Sequence, residues 1–217
     1  MLLDLLIVLQ VVNSMSEILR NFPLFPISII VFPGEIQPLH IFEKRYKQLI
    51  AEMEKNNGAF GIPFVKDGKL CEYGSGVVIH KILATSPTGE MDILVKGVNM
   101  FQIIDIVERL PEKLYGGGVV KLLNEMNHLV SNTLKRKFDK YKTQLAVLNK
   151  EKVPEQIPSF KNIFDIAGQL PLEIEEKYYL IKSENLLSRE HLLSEKIDFL
   201  LMINKKLEEV GYKFYLN

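Results

Sequence analysis

Hydrophobic and polar positions change period along this chain, and the changes divide it. From Phe22 to Ile41 the apolar residues come in short runs cut by Pro23, Pro26, Pro33 and Pro38. Proline fixes its own φ and cannot donate to a sheet ladder, so this spacing predicts edge strands and tight turns. Pro33-Gly34 is a turn signal, because proline presets one corner and glycine supplies a positive φ. From Phe42 the period turns helical. Phe42, Tyr46, Leu49, Ile50 and Met53 share one face, and Glu43, Lys44, Lys47 and Glu52 lie largely off it. The spacing predicts strand, turn, strand and helix in that order.

Strand signals continue to Leu123. Ala59 to Val65 reads as a strand, and Asp67-Gly68 after it suits a hairpin turn. Gly76 to Thr85 is dense in β-branched residues, and Ser86-Pro87-Thr88-Gly89 turns it back into Met91 to Lys96. Gly97-Val98-Asn99 marks a reversal or a bulge before Met100 to Val107, and Gly116-Gly117-Gly118 precedes a last strand, Val119 to Leu122. Strands at this spacing, with one internal helix, predict a small closed or half-closed β-barrel over residues 22–123.

After Asn124 the period is helical. Met126, Leu129, Val130, Leu134, Phe138, Tyr141, Leu145 and Leu148 mark one long amphipathic helix. A loop from Lys152 to Pro158 follows, with Ser159 placed to cap the next helix. Pro171 is expected in the first turn of another, Ser188 at the cap of the last, and Gly211 at its C-terminal stop. Residues 124–217 thus predict a bundle of about four helices, and the whole chain is read as α+β. The run MLLDLLIVLQVV at the start is shorter than the ~20 apolar residues a membrane helix needs. Asp4, Gln10 and Asn13 do not fit a signal peptide. Residues 1–21 are therefore expected to be an ill-defined extension: an apolar strand or helix docked on the body, or translation begun upstream of a start at Met15.

Composition narrows the chemistry. In 217 residues, 27 Lys and Arg balance 27 Asp and Glu, so the counterion-displacing positive excess of a nucleic-acid binder is absent. Cys71 is the single cysteine, which rules out an intrachain disulfide and suits the reducing cytoplasm. It reads as a small half-buried residue at the start of a strand. No glycine is followed by Lys and then Ser or Thr, and Gly74-Ser75-Gly76 lacks the third glycine of a dinucleotide fingerprint. His40, His80, His128 and His191 have no metal-ligand spacing, so neither metal nor cofactor is expected. His80 reads as a hydrogen-bonded barrel residue. Glu43, Glu52, Glu173, Glu175 and Glu176 read as solvated helix faces, and so does Lys135-Arg136-Lys137, whose members point in different directions on a helix.

With these elements placed, the chain resembles the Lon N-terminal substrate-binding domain family. The matching residues are FPLFPISIIVFPGEIQPLHIFEKRYKQLI at 22–50, AFGIPFV at 59–65, YGSGVVIHKI at 73–82 and GEMDILVKGVNMFQIIDI at 89–106. A looser similarity runs on to about residue 201. Lys44 stands where the family commonly has proline. The resemblance implies a PUA-like β-barrel (a pseudobarrel) followed by helices, and a non-catalytic module that recognises polypeptide segments or a protein partner. It also implies a stand-alone chain without the ATPase and peptidase domains that do the chemistry in Lon. Within the motif, Pro33 and Gly34 are expected to shape the turn, Phe42 and Tyr46 to fill the barrel–helix seam, and Glu43 with Arg45 to make local polar contacts. A groove between barrel and helices would be lined by Phe32, His40, Met100, Phe101 and Tyr115. Two alternatives remain open. One is RNA binding, as in other PUA-like folds, against which stand the neutral charge and sparse aromatics. The other is an adaptor or assembly role, by self-association or with a Lon-type protease.

Overall fold

The computed structural model describes residues 17–123, 130–149, 160, 162–183 and 185–215. The residues before 17, the expected helix start at Met126 and Leu129, the loop 152–158 and the Ser159 cap lie outside them. The expected order of the first segment is present: β1 (Ile18–Pro23), the Pro33-Gly34 turn, β2 (Ile36–Ile41) and α1 (Lys44–Asn56). Gly34 has φ +88°, the conformation the turn demands. Next come β3 (Ala59–Lys66), β4 (Lys69–Thr85), β5 (Met91–Val107) and β6 (Gly117–Leu122). Asp67 and Gly68, both at positive φ, close the β3–β4 hairpin.

Contacts divide the chain into two compact units: Met1–Met126 with Glu173–Lys182, and Asn127–Leu172 with Ser183–Asn217. In the first, every ladder is antiparallel and the strand order is β1-β6-β5-β4-β3, with β2 on β5. The sheet does not close. Beyond β1 the chain pairs with β3 through single parallel bridges, Leu24 to Gly61 and Ile27 to Phe64. Gly97-Val98-Asn99 is a bulge, not a reversal: Gly76 pairs with Asn99 and Val77 with Gly97, leaving Val98 as the extra residue.

Helix α1 lays Tyr46, Leu49, Ile50 and Met53 into a core with Phe60, Ile62, Val77, Ile93 and Val95. Phe42 does not join them. It precedes the helix and is 60 % exposed, with its ring stacked beside His40. Cys71 is half-buried near the start of β4, as its neighbours imply, whereas His80 faces solvent on the same strand.

The nine-residue helix α4 (Ile174–Lys182), read from the sequence with the helical half, belongs to the sheet unit. Lys177 Nζ donates to both Glu35 carboxylate oxygens at 2.8 and 3.0 Å, and stands 4.9 Å from the centre of the Phe32 ring. Glu35 in turn accepts from the Phe32 backbone N–H at 2.8 Å, so α4 holds the Pro33-Gly34 turn. Tyr178 packs on Phe64 and Tyr73, and Lys66 pairs with Glu175. Pro171 lies three residues before α4, outside its first turn.

The second unit contains α2 (Asn132–Leu148), α3 (Ile163–Ala167) and α5 (Leu186–Tyr215). Ser131 caps α2, and Asn162 with Asp165 forms a capping box on α3. Lys137 on α2 donates to Ser194 and Asp198 on α5, and Phe138 meets Phe160 edge to face. The last helix differs from expectation at both ends. Asn185 accepts the Ser188 backbone N–H, which makes Ser188 an internal residue, and the helix runs through Gly211 to Tyr215. Among the described residues no helix is long and apolar enough to cross a membrane.

Candidate functional site

At the end of β5 the strand alternation fails. Ile103, Ile104, Ile106 and Val107 place four apolar residues in five positions, more than one sheet face can bury. A bulge between Ile103 and Asp105 makes Ile104 the extra residue, and Ile104, Ile106 and Val107 all emerge to solvent. Ile106 and Val107, with Leu70 from β4, border a pocket of about 100 Å³ completed by Leu24, Pro26, Arg45, Tyr46, Glu108, Gly116 and Gly117. The FPLFP segment supplies one wall and the first turn of α1 another.

The polar edge of this pocket is ordered. Arg45 is bound to the Glu43 carboxylate at 2.8 Å and lies 4.6 Å from the centre of the Tyr46 ring. Tyr46 is buried against Phe25, with ring centres 4.1 Å apart. Burial pushes its phenol up from the ordinary value, and the Arg45 guanidinium pulls it part of the way back. The lining has no Ser, Thr, Cys, His or Lys; beside Arg45 its titratable side chains are Tyr46 and Glu108. Its chemistry is that of a hydrophobic notch beside an ion pair.

The loop between β5 and β6 forms part of this end of the molecule and is pinned to α1. Tyr115 donates its hydroxyl to Glu52 Oε2 at 2.6 Å, and Lys113 Nζ pairs with the same oxygen at 2.8 Å. Gln48 donates to Glu52 Oε1 and accepts the Leu114 backbone N–H. Glu52 is therefore no solvated helix carboxylate. Hydrogen bonds from Lys113 and Tyr115 hold its carboxyl below the usual range, while burial and the Glu52 charge push the Tyr115 phenol up. A depressed carboxylate contributes stability that is present above its unfolded pKa and lost as pH falls through the folded one. Glu52→Gln should therefore lower Tm most near neutrality, with the two Tm values converging as the pH falls through and below the ordinary glutamate range. A Tm difference constant from neutral to acid pH would exclude this role for the charge.

The residues expected to line a groove are mostly buried in the sheet unit. Phe32, Met100, Phe101 and Tyr115 are interior, each 2 % exposed or less. Met100 and Phe101 are neighbours on β5, Phe101 packing with Phe22, Leu24, Val120 and Leu122. His40 is exposed on β2, paired with Asp92 at 2.7 Å. Of the motif residues, Arg45 and Tyr46 reach the pocket and Glu43 braces Arg45. Pro33 and Gly34 form the turn against Gly97. Leu70, Ile106 and Val107, which also line the pocket, are not among the residues expected from sequence, although the broken alternation of residues 103–107 signals the last two. Among the described residues no cluster of His, Cys, Asp or Glu is arranged to hold a metal.

Comparison with known proteins adds a lineage to this geometry. The family described as the ATP-dependent protease La (LON) substrate-binding domain matches residues 21–198. A Lon N-terminal domain protein from Xanthomonas campestris aligns with TM-score 0.58 and 19 % identity, over 83 % of this chain and 96 % of its own. The N-terminal domain of the Mycobacterium avium complex Lon protease aligns with TM-score 0.55 and 15 % identity, over 82 % and 97 %. At these identities the two structures speak to the fold alone. Comparison with curated proteins gives no match.

Proposed function

The chain belongs to the ATP-dependent protease La (LON) substrate-binding domain family, and from that premise we propose that it recognises polypeptides and leaves their bonds intact. The family match carries the reading, and the pocket at the end of β5 supplies a place for it. An exposed apolar side chain from an extended or unfolded segment enters the notch beside Leu70, Ile106 and Val107, which stand 39 to 45 % exposed. About 100 Å³ suits one aliphatic side chain. Burying it against these residues removes apolar surface on both partners from water, the main driving force for such contacts. Arg45 and Glu43 form the polar rim, giving the partner's backbone groups hydrogen-bonding sites at the edge of the notch.

The test is fluorescence anisotropy of a labelled, reduced and carboxymethylated polypeptide titrated with the full chain. Ile106→Asp places a charge in the notch at a position already exposed, so the fold should survive. Binding should weaken about tenfold or more, the loss of one well-placed apolar contact. The labelled polypeptide should remain uncut on prolonged incubation with ATP. Unchanged affinity in the folded Ile106→Asp chain would remove the pocket from the reading, and cleavage abolished by a point change in this chain would overturn the non-catalytic part.

A further inference from the structure

The opposite end of α1 borders a second concavity. About 310 Å³ of space is bounded by Met53, Glu54, Asn57, Gly58, Val78 and Ile79. Met53 is buried and Val78 and Ile79 half-buried, and these three make its apolar side, facing the exposed polar residues Glu54 and Asn57 in the same lining. Glu54 is the single charged residue of the lining. Here α1 terminates: Asn57 adopts the left-handed conformation, φ 47°, and the helix ends on the Met53 and Glu54 carbonyls that accept the closing N–H bonds. A helix C-terminus carries partial negative charge, which adds to that of the Glu54 carboxylate. Lys55, the cation of the last turn, is exposed and is not among the lining residues.

We propose that this cavity binds a primary ammonium group on a short aliphatic stem, the chemistry of a lysine side chain. The stem lies along Met53, Val78 and Ile79, and the head meets the Glu54 carboxylate at the negative end of the helix. Glu54 is exposed and hydrated, so a neutral apolar guest gains nothing from its charge, and an anion would be repelled by it. An ammonium also has three donors to divide between a carboxylate and nearby carbonyls. Stems of this kind bury their methylenes while keeping the charged end at the surface. The proposal rests on the polypeptide reading only for its natural source of lysine; the chemistry of the cavity stands by itself.

The experiment is a titration of the isotope-labelled full chain with n-butylammonium chloride at low ionic strength, followed through backbone amide shifts, with n-butanol as the neutral match. Saturable shifts are expected at Gly58, Val78 and Ile79, with n-butanol giving weaker ones. Glu54→Gln, at an exposed position, should weaken butylammonium binding about fivefold. Added salt should weaken it in the unaltered chain too, a readout that needs no variant. Equal binding of n-butanol, indifference to both Glu54→Gln and salt, or the absence of saturable shifts would each overturn the ammonium site. If that happens while Ile106→Asp still impairs polypeptide binding, the lysine subsite falls and the polypeptide reading stands.

Discussion

Gly97→Val is expected to unfold the sheet unit at temperatures the native chain tolerates. Gly97 sits at the β5 bulge, where the chain from Val31 to Glu35 crosses β5. A Cβ there would lie 2.7 Å from the Phe32 carbonyl carbon and 3.0 Å from the Val31 oxygen, and closer still to the Phe32 oxygen. These are backbone atoms and cannot rotate aside. They could retreat only by breaking the bonds from Gly34 N to Gly97 O, 2.9 Å, and from Gly97 N to Glu35 O, 3.0 Å. Losing both and displacing the turn costs on the order of 4 kcal/mol, and Tm should fall by about 10 °C or more. Gly97→Ala should act in the same direction. Calorimetry checks this, and a valine variant melting within about 2 °C of the native chain would mean that the turn and β5 are not in contact.

Phe101→Ala separates two readings of one residue. As a groove residue, Phe101 would affect ligand binding and leave stability nearly untouched. In the structure its side chain is fully buried, edge to face with Phe22 at 6.0 Å. Gly61 and Gly74 lie against the ring so closely that a Cβ on either would come within 2.9 and 2.7 Å of it. Truncation empties a space bounded partly by backbone, which cannot collapse to fill it, so a loss of about 3–5 kcal/mol is expected. Urea unfolding measures that loss, and anisotropy on the remaining folded protein should show polypeptide affinity close to native. Near-native stability with binding abolished would favour the groove reading.

The contrast between Phe42 and Phe101 marks how far local pattern reaches. Both are aromatic residues in apolar runs of the matched motif. Phe42 falls on the helical face with Tyr46, Leu49, Ile50 and Met53, yet it precedes the first helical residue and its ring lies in solvent. Phe101 follows a bulge that resets the strand's alternation, and it points inward. One residue of helix start or one bulge turns a side chain around, and neither is settled by the residues nearest to it. The pocket was legible to a similar extent: Arg45 and Tyr46 lie in the motif, while Leu70 comes to Ile106 and Val107 only through pairing of the β4 and β5 strands.

What the amino-acid sequence determined by itself is the order and kind of the elements. Pro33-Gly34, Asp67-Gly68 and the helical spacing from Tyr46 to Met53 restrict φ and ψ through sterics within a few residues. Those restrictions act before any distant contact forms. Tertiary structure decided which surfaces are covered and by what. Helix α4 joined the sheet unit because Lys177 meets Glu35, 142 positions away in sequence. Glu52 became a tether for the β5–β6 loop because Tyr115, 63 positions away in sequence, and Lys113 reach it. In α5 a glycine at position 211 left the helix running, since a residue that permits a left-handed stop does not compel one. Conformational preference is a property of neighbours in the chain; burial and charge pairing belong to neighbours in space, which no local pattern names.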